Sequence, residues 1–148
     1  MRGIGIRLAI IAIIAVGGFL LRDRLPGGAG DLQVGDCFDA PTSEGVEIDD
    51  VAHHPCNEAH TAEVVLVMDY EPGTGGYPTD PDWFRFIEAN CVPAFNAYTG
   101  LDYMSDVVFE MGYFTPTSDG WRAGDREVSC YATRIDGTPM SASLRISH

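Results

Sequence analysis

The chain has 148 residues and a formal charge of −13, from 9 cationic side chains against 22 acidic ones. All of the cations are arginines, and the absence of lysine removes every Schiff-base mechanism. Nucleic acid is excluded as a partner, because binding it depends on cationic groups displacing counterions, and anionic wall polymers are disfavoured unless divalent cations bridge.

An uninterrupted apolar run covers 8–21, with Arg2 and Arg7 before it and Arg22 and Arg24 after it. Extended back to Ile4, with the Arg7 charge snorkelling to the interface, it gives about eighteen residues. That is roughly 27 Å of helix against a hydrocarbon core of ~30 Å. No small-x-small cleavage site and no lipidation cysteine follows, so the reading is a retained N-terminal transmembrane helix over about 4–21 within an anchor at 1–24. Residues 25–30 read as a flexible linker and 31–148 as one domain. Cys37, Cys56, Cys91 and Cys130 all lie beyond the anchor, even in number and with no CxxC. In an exported domain that pattern is a disulfide framework, which places 31–148 outside the cytoplasm of a single-pass membrane protein.

Segments 32–38 and 46–51 read as short strands, and the apolar β-rich run 63–68 as a central strand. A loop follows at 71–78. Thr79, Asp80, Pro81 and Asp82 announce a helix, with an N-cap oxygen, proline in the first turn and acids at the positive end of the dipole. Phe84, Ile87, Cys91, Phe95 and Tyr98 form its expected buried stripe, Pro93 is expected to kink it, and Gly100 closes it. Segments 107–114, 126–132 and 143–146 are strand-like, separated by turns at 116–124 and 136–137. The fold expected is α+β, a small mostly antiparallel sheet with one main helix, disulfide-stapled.

The stretch "VAHHPCNEAHTAEVV" at 51–65 has the composition of a metal or catalytic site. His53, Cys56 and His60 are capable zinc ligands, but Cys56 serves only as a thiolate and an exported cysteine is oxidised; HExxH is absent. Neither a Gly-x-Ser-x-Gly elbow nor a recognisable cysteine-protease context is present, and so many acids make any carboxylate pair uninformative. The expected role is therefore scaffolding: Cys56 in a disulfide, His60 and Glu63 hydrogen-bonded beside it, His53 and His54 solvated in a loop. No catalytic residue, metal or small-molecule cofactor is assigned. Of the three possible disulfide pairings, loop entropy favours none. Export order, and the tie of a helix to the strand it packs on, favour Cys37–Cys56 with Cys91–Cys130.

Four blocks, "VGDCF" (34–38), "CNEAHTAEVV" (56–65), "CVPAFNAYTG" (91–100) and "YFTPTSDGWRAGDREVSCY" (113–131), together resemble the actinobacterial septum formation domain family. The signature falls on Cys37, Cys56, His60, Glu63, Cys91, Trp121, Gly124, Asp125, Arg126 and Cys130. The resemblance implies a membrane-tethered, disulfide-bonded extracytoplasmic domain associated with cell division, and it supplies no reaction, ligand or catalytic residue. Arg126, one of five cations in an acidic domain, should be paired, with Asp36, Asp125 or Glu63 as partners.

The function these readings favour is a non-enzymatic interaction module at the outer face of the membrane that binds an envelope or division protein. Tyr70, Tyr77 and Trp121 are the expected contact residues. The alternative is an envelope hydrolase or metal-dependent enzyme using His60 and Glu63.

Overall fold

The β-branched run at the middle of the chain becomes β4 (Ala62–Asp69), the strand on which the domain is built. In this computed structural model, which describes residues 26–42, 50–71 and 76–146, the other strands are β1 (Pro26–Gly28), β2 (Cys37–Phe38), β3 (Asp50–His54), β5 (Phe109–Phe114) and β6 (Glu127–Arg134). They form one sheet in the order β1-β3-β2-β4-β6-β5, antiparallel at every pair. Ala62, Val64 and Val65 of β4 are buried, as a central strand requires. The segment expected as a transmembrane helix lies outside the described residues. Among those described, no helix is long and apolar enough to cross a membrane. Within the expected linker, Pro26–Gly28 pairs with β3, and a 3-10 turn follows at Ala29–Asp31.

Helix α1 (Asp80–Thr99) begins where its cap signals stand. The Thr79 backbone N–H and hydroxyl both donate to Asp82 Oδ2, at 3.0 and 2.6 Å. It continues through Pro93 and stops at Gly100, whose φ of 72° favours glycine and whose N–H donates to Asn96 O at 2.9 Å.

The buried stripe differs from expectation at its start. Phe84 is 69 % exposed, and Trp83 and Phe86 are buried in its place. At about 100° per residue, Trp83 and Phe86 sit roughly a third of a turn away from the face of Cys91, Phe95 and Tyr98. The first turns bury that other face because Tyr70, at the end of β4, and Trp121 stand beside them, with ring centroids 4.8 Å (Tyr70–Trp83), 4.9 Å (Tyr70–Phe86) and 6.1 Å (Trp83–Trp121).

Two cores result. One lies between α1 and the β4/β6 face and includes Val65, Phe95, Val128 and Ala132. The other includes Leu32, Phe38, Val51, Val64 and Tyr131. In the second, the Tyr131 ring covers its cross-strand partner Gly112, where a Cβ would fall 2.2 Å from Tyr131 Cζ. Tyr131 is held on Phe38 and Phe114, at 5.2 and 5.1 Å between centroids, so it cannot step aside freely. Gly112→Ala is therefore expected to destabilise the domain by about 1–3 kcal/mol despite alanine's better backbone entropy. An unchanged or raised urea midpoint would show that the ring moves without resistance.

Further elements differ from the sequence reading: of segment 32–38 only Cys37–Phe38 is strand, and of the strand read at 46–51 the part 46–49 lies outside the described residues. His53 and His54 lie on β3, opposite Phe38 and Cys37, rather than in a loop, and His54 Nε2 meets Asp39 Oδ2 at 2.9 Å. Part of the 116–124 turn is a short helix, α2 (Ser118–Ala123). Segment 143–146 is not a strand; it passes over the end of α1, with Ile146 N donating to Tyr98 O at 3.0 Å.

Candidate functional site

The disulfides join Cys37 to Cys56 and Cys91 to Cys130, the favoured pairing. Cys91–Cys130 ties α1 to β6 inside the first core. Cys37–Cys56 ties β2 to the turn that leads into β4, and next to it lies the densest polar cluster of the described interior.

Register puts the first member of that cluster in place: Cys37 on β2 pairs with Glu63 on β4. Glu63 is fully buried, and its carboxylate accepts three hydrogen bonds. Tyr98 Oη and Ser143 Oγ donate to Oε1 at 2.5 and 2.6 Å, and the Leu144 backbone N–H donates to Oε2 at 2.7 Å. Donors from α1 and the C-terminal segment therefore converge on a strand carboxylate, an arrangement suited to an acceptor-only group. Burial first, then the hydrogen bond to Glu63 and its charge, push the Tyr98 hydroxyl from 10.0 up to about 12. Arg145 lies over the Tyr98 ring, 5.1 Å from its centroid.

His60 is also fully buried. It forms a bridge with Met140, with N–H···O distances of 3.0 and 2.8 Å, which fastens the C-terminal segment to the entry of β4. Its Nδ1 bonds Glu58 O at 2.8 Å. Because a carbonyl only accepts, that bond puts the proton on Nδ1. Nε2 is buried with no partner among the described residues.

The zinc-capable trio His53, Cys56 and His60, to which no metal is assigned, is not the set the fold assembles. Ligating atoms of Cys37, His60 and Glu63 lie within 4.8 Å of one another. With Cys37 in a disulfide the group has no thiolate to offer.

The remaining motif residues make a helix stop. Thr117 Oγ1 accepts from Gly120 N at 3.0 Å to cap α2, and Gly124, at φ 103°, ends it. Asp125 Oδ1 accepts from Glu127 N at 3.0 Å, turning the chain into β6. Arg126 folds back with its guanidinium 3.7 Å from the centroid of the Trp121 ring and donates to Trp121 O and Asp125 O at 2.8 and 2.5 Å. Among the described residues it makes no ion pair with Asp36, Asp125 or Glu63; a ring face and two carbonyls take that place.

The contact residues are corrected in the same way. Tyr70 and Trp121 are buried, at 9 % and 7 % exposure, since both fill the space beside the first turns of α1. Tyr77 is 43 % exposed, though its ring packs 5.9 Å from Trp83 and from Trp121 and its hydroxyl donates to Pro116 O at 2.8 Å. Tyr98 and Ser143 are the functional-looking residues that sequence reasoning missed. Tyr98 was visible as a core residue only, and nothing around Ser143 marked a contact to a residue 80 positions earlier.

Fold and cluster together define a disulfide-stapled α+β domain whose motif residues His60 and Glu63 are buried in the protein. The chain belongs to the septum formation family: the family model described as Septum formation matches residues 30–143. No curated protein and no solved structure gives a match.

Proposed function

We propose that the protein is a membrane-tethered, non-enzymatic module outside the cytoplasm that binds another envelope or division protein during septum formation. The observation that carries the reading is where the reactive residue types sit. His60 and Glu63, the pair a hydrolase would use, are fully buried beneath the 140–146 segment, and Glu63 accepts three hydrogen bonds from protein donors. Among the described residues, the 140–146 segment bonds to both of them.

The apolar groups left outside support binding instead. Leu101, Met104, Val107 and Val108, at 39, 78, 82 and 38 % exposure, lie on the connection from α1 to the edge strand β5. Ile135, 55 % exposed, joins them through its N–H to Val108 O at 3.0 Å. Large apolar side chains gathered at the end of an edge strand are a usual feature of protein-binding surfaces.

Photocrosslinkers at Met104 and Val107 in cells are expected to capture the same protein, and one at Asp119 on α2 is not. Val107→Asp should abolish capture while shifting stability by no more than about 0.5 kcal/mol, as for an exposed site. Capture that is absent, or indifferent to Val107→Asp, removes the interaction reading. The tether is tested separately: carbonate-washed membranes should retain the full chain and release a chain starting at residue 25.

A further inference from the structure

The metal donors brought together at β2 and β4 are four once the disulfide is opened. Cys37 and Cys56 would each supply a sulfur. His60 Nε2 carries a lone pair with no partner among the described residues, fully buried, because Nδ1 is spent on Glu58 O. Glu63 Oε1 accepts two hydrogen bonds, whereas Oε2 accepts only the one from Leu144 N and keeps a second lone pair. Ligating atoms of Cys37, His60 and Glu63 already lie within 4.8 Å of one another. Donors on a tetrahedral zinc, with bonds of about 2.0–2.3 Å, are roughly 3.3–3.8 Å apart, so Cys37, His60 and Glu63 need to close by about an ångström, while the Cys37 and Cys56 sulfurs, about 2 Å apart when bonded, must separate once the disulfide opens.

We propose that the Cys37–Cys56 disulfide closes a latent site for a zinc-class divalent cation, held in the reduced protein by Cys37, Cys56, His60 and Glu63. A buried imidazole nitrogen without a partner is costly in a finished interior, and the ring that carries it belongs to the cluster of Cys37, His60 and Glu63. Reduction by a dithiol breaks the Cys37–Cys56 bond, leaves two thiols and oxidises the dithiol to its own disulfide. Cation binding then displaces the two thiol protons. Metal and disulfide are mutually exclusive because both use the same sulfurs. The occupied site would therefore hold β2 against β4 in a chain not yet oxidised, and oxidation would expel the ion.

The test uses the full chain, reduced with a dithiol and desalted without oxygen, then titrated with Co²⁺. One equivalent should bind, with thiolate-to-cobalt charge-transfer absorption and strong tetrahedral bands, and the oxidised protein should show neither. In the reduced wild-type protein Zn²⁺ should slow alkylation of Cys37 and Cys56 and leave the rates at the buried Cys91 and Cys130 unchanged, which serves as an internal control needing no variant. His60→Gln should weaken cobalt binding about tenfold or more. Absence of cobalt bands in the reduced chain overturns the proposal, as do equal protection of all four thiols and affinity unchanged by His60→Gln.

Discussion

Replacing Cys91 and Cys130 together by alanine is expected to remove about 4 kcal/mol of stability, because the bond closes a loop of 39 residues and constrains the unfolded chain. For a domain with a typical stability of about 5–15 kcal/mol, that is a large share. The same exchange at Cys37 and Cys56, with a separation of 19, should remove about 3 kcal/mol on the same loop model. Packing widens the difference. Cys91 and Cys130 are both fully buried in the α1 core, where removing two sulfurs leaves space that Phe95 and Val65 must fill. Denaturant melts of the two double variants decide it. If the Cys91/Cys130 variant is the more stable, the bond does not act through chain constraint, and the helix is held to β6 by its apolar contacts alone.

That staple was legible in the sequence, and the reason is local. A helix with its cap at Thr79 and its stop at Gly100 presents Cys91 inward, and the β-rich segment with Cys130 is the kind of strand such a helix covers. Central placement of β4 was legible for the same reason, since 64–68 has no polar residue to turn to solvent. The inward face of the first turns of α1 was not. Phe84 lies on the same side as Cys91 by helical spacing, and only the positions of Tyr70 and Trp121, fixed by β4 and α2, draw Trp83 and Phe86 inward instead. The Trp-x-x-Gly-Asp-Arg block was visible as a motif but not as a helix stop: its length is below that at which hydrophobic periodicity reports a helix. Least legible was the strap at 140–146. Its contacts to His60, Glu63 and Tyr98 span 80, 80 and 48 residues for the pairs Met140–His60, Ser143–Glu63 and Ile146–Tyr98, distances at which no local pattern carries information.

Glu63→Ala is expected to cost about 3 kcal/mol or more, since it deprives Tyr98, Ser143 and Leu144 N of their shared acceptor in a site closed to water. The strap should loosen first, seen as faster hydrogen exchange at Leu144 and Ile146, before the sheet opens. Glu63→Gln should be milder, because the amide oxygen still accepts while its NH₂ faces a donor. A second readout separates the polar network from simple loss of packing. In the wild type the Tyr98 hydroxyl titrates at about 12 when folded against 10.0 for the free side chain, so below pH 10 folding and unfolding involve no proton at this group. From pH 10 to about 12 the unfolded chain ionises and the folded one does not, and stability falls across that window. Removing Glu63 takes away two of the three causes that raise the value, the hydrogen bond and the charge, and leaves burial, the largest. The folded Tyr98 should therefore ionise at lower pH in Glu63→Ala, and the loss of stability attributable to it should be smaller. Tyrosinate absorbance followed against pH in both proteins measures this directly. Identical Tyr98 titrations would mean that Glu63 does not set the electrostatics of the cluster, and the strap is then held by Met140 and Ile146 rather than by the carboxylate.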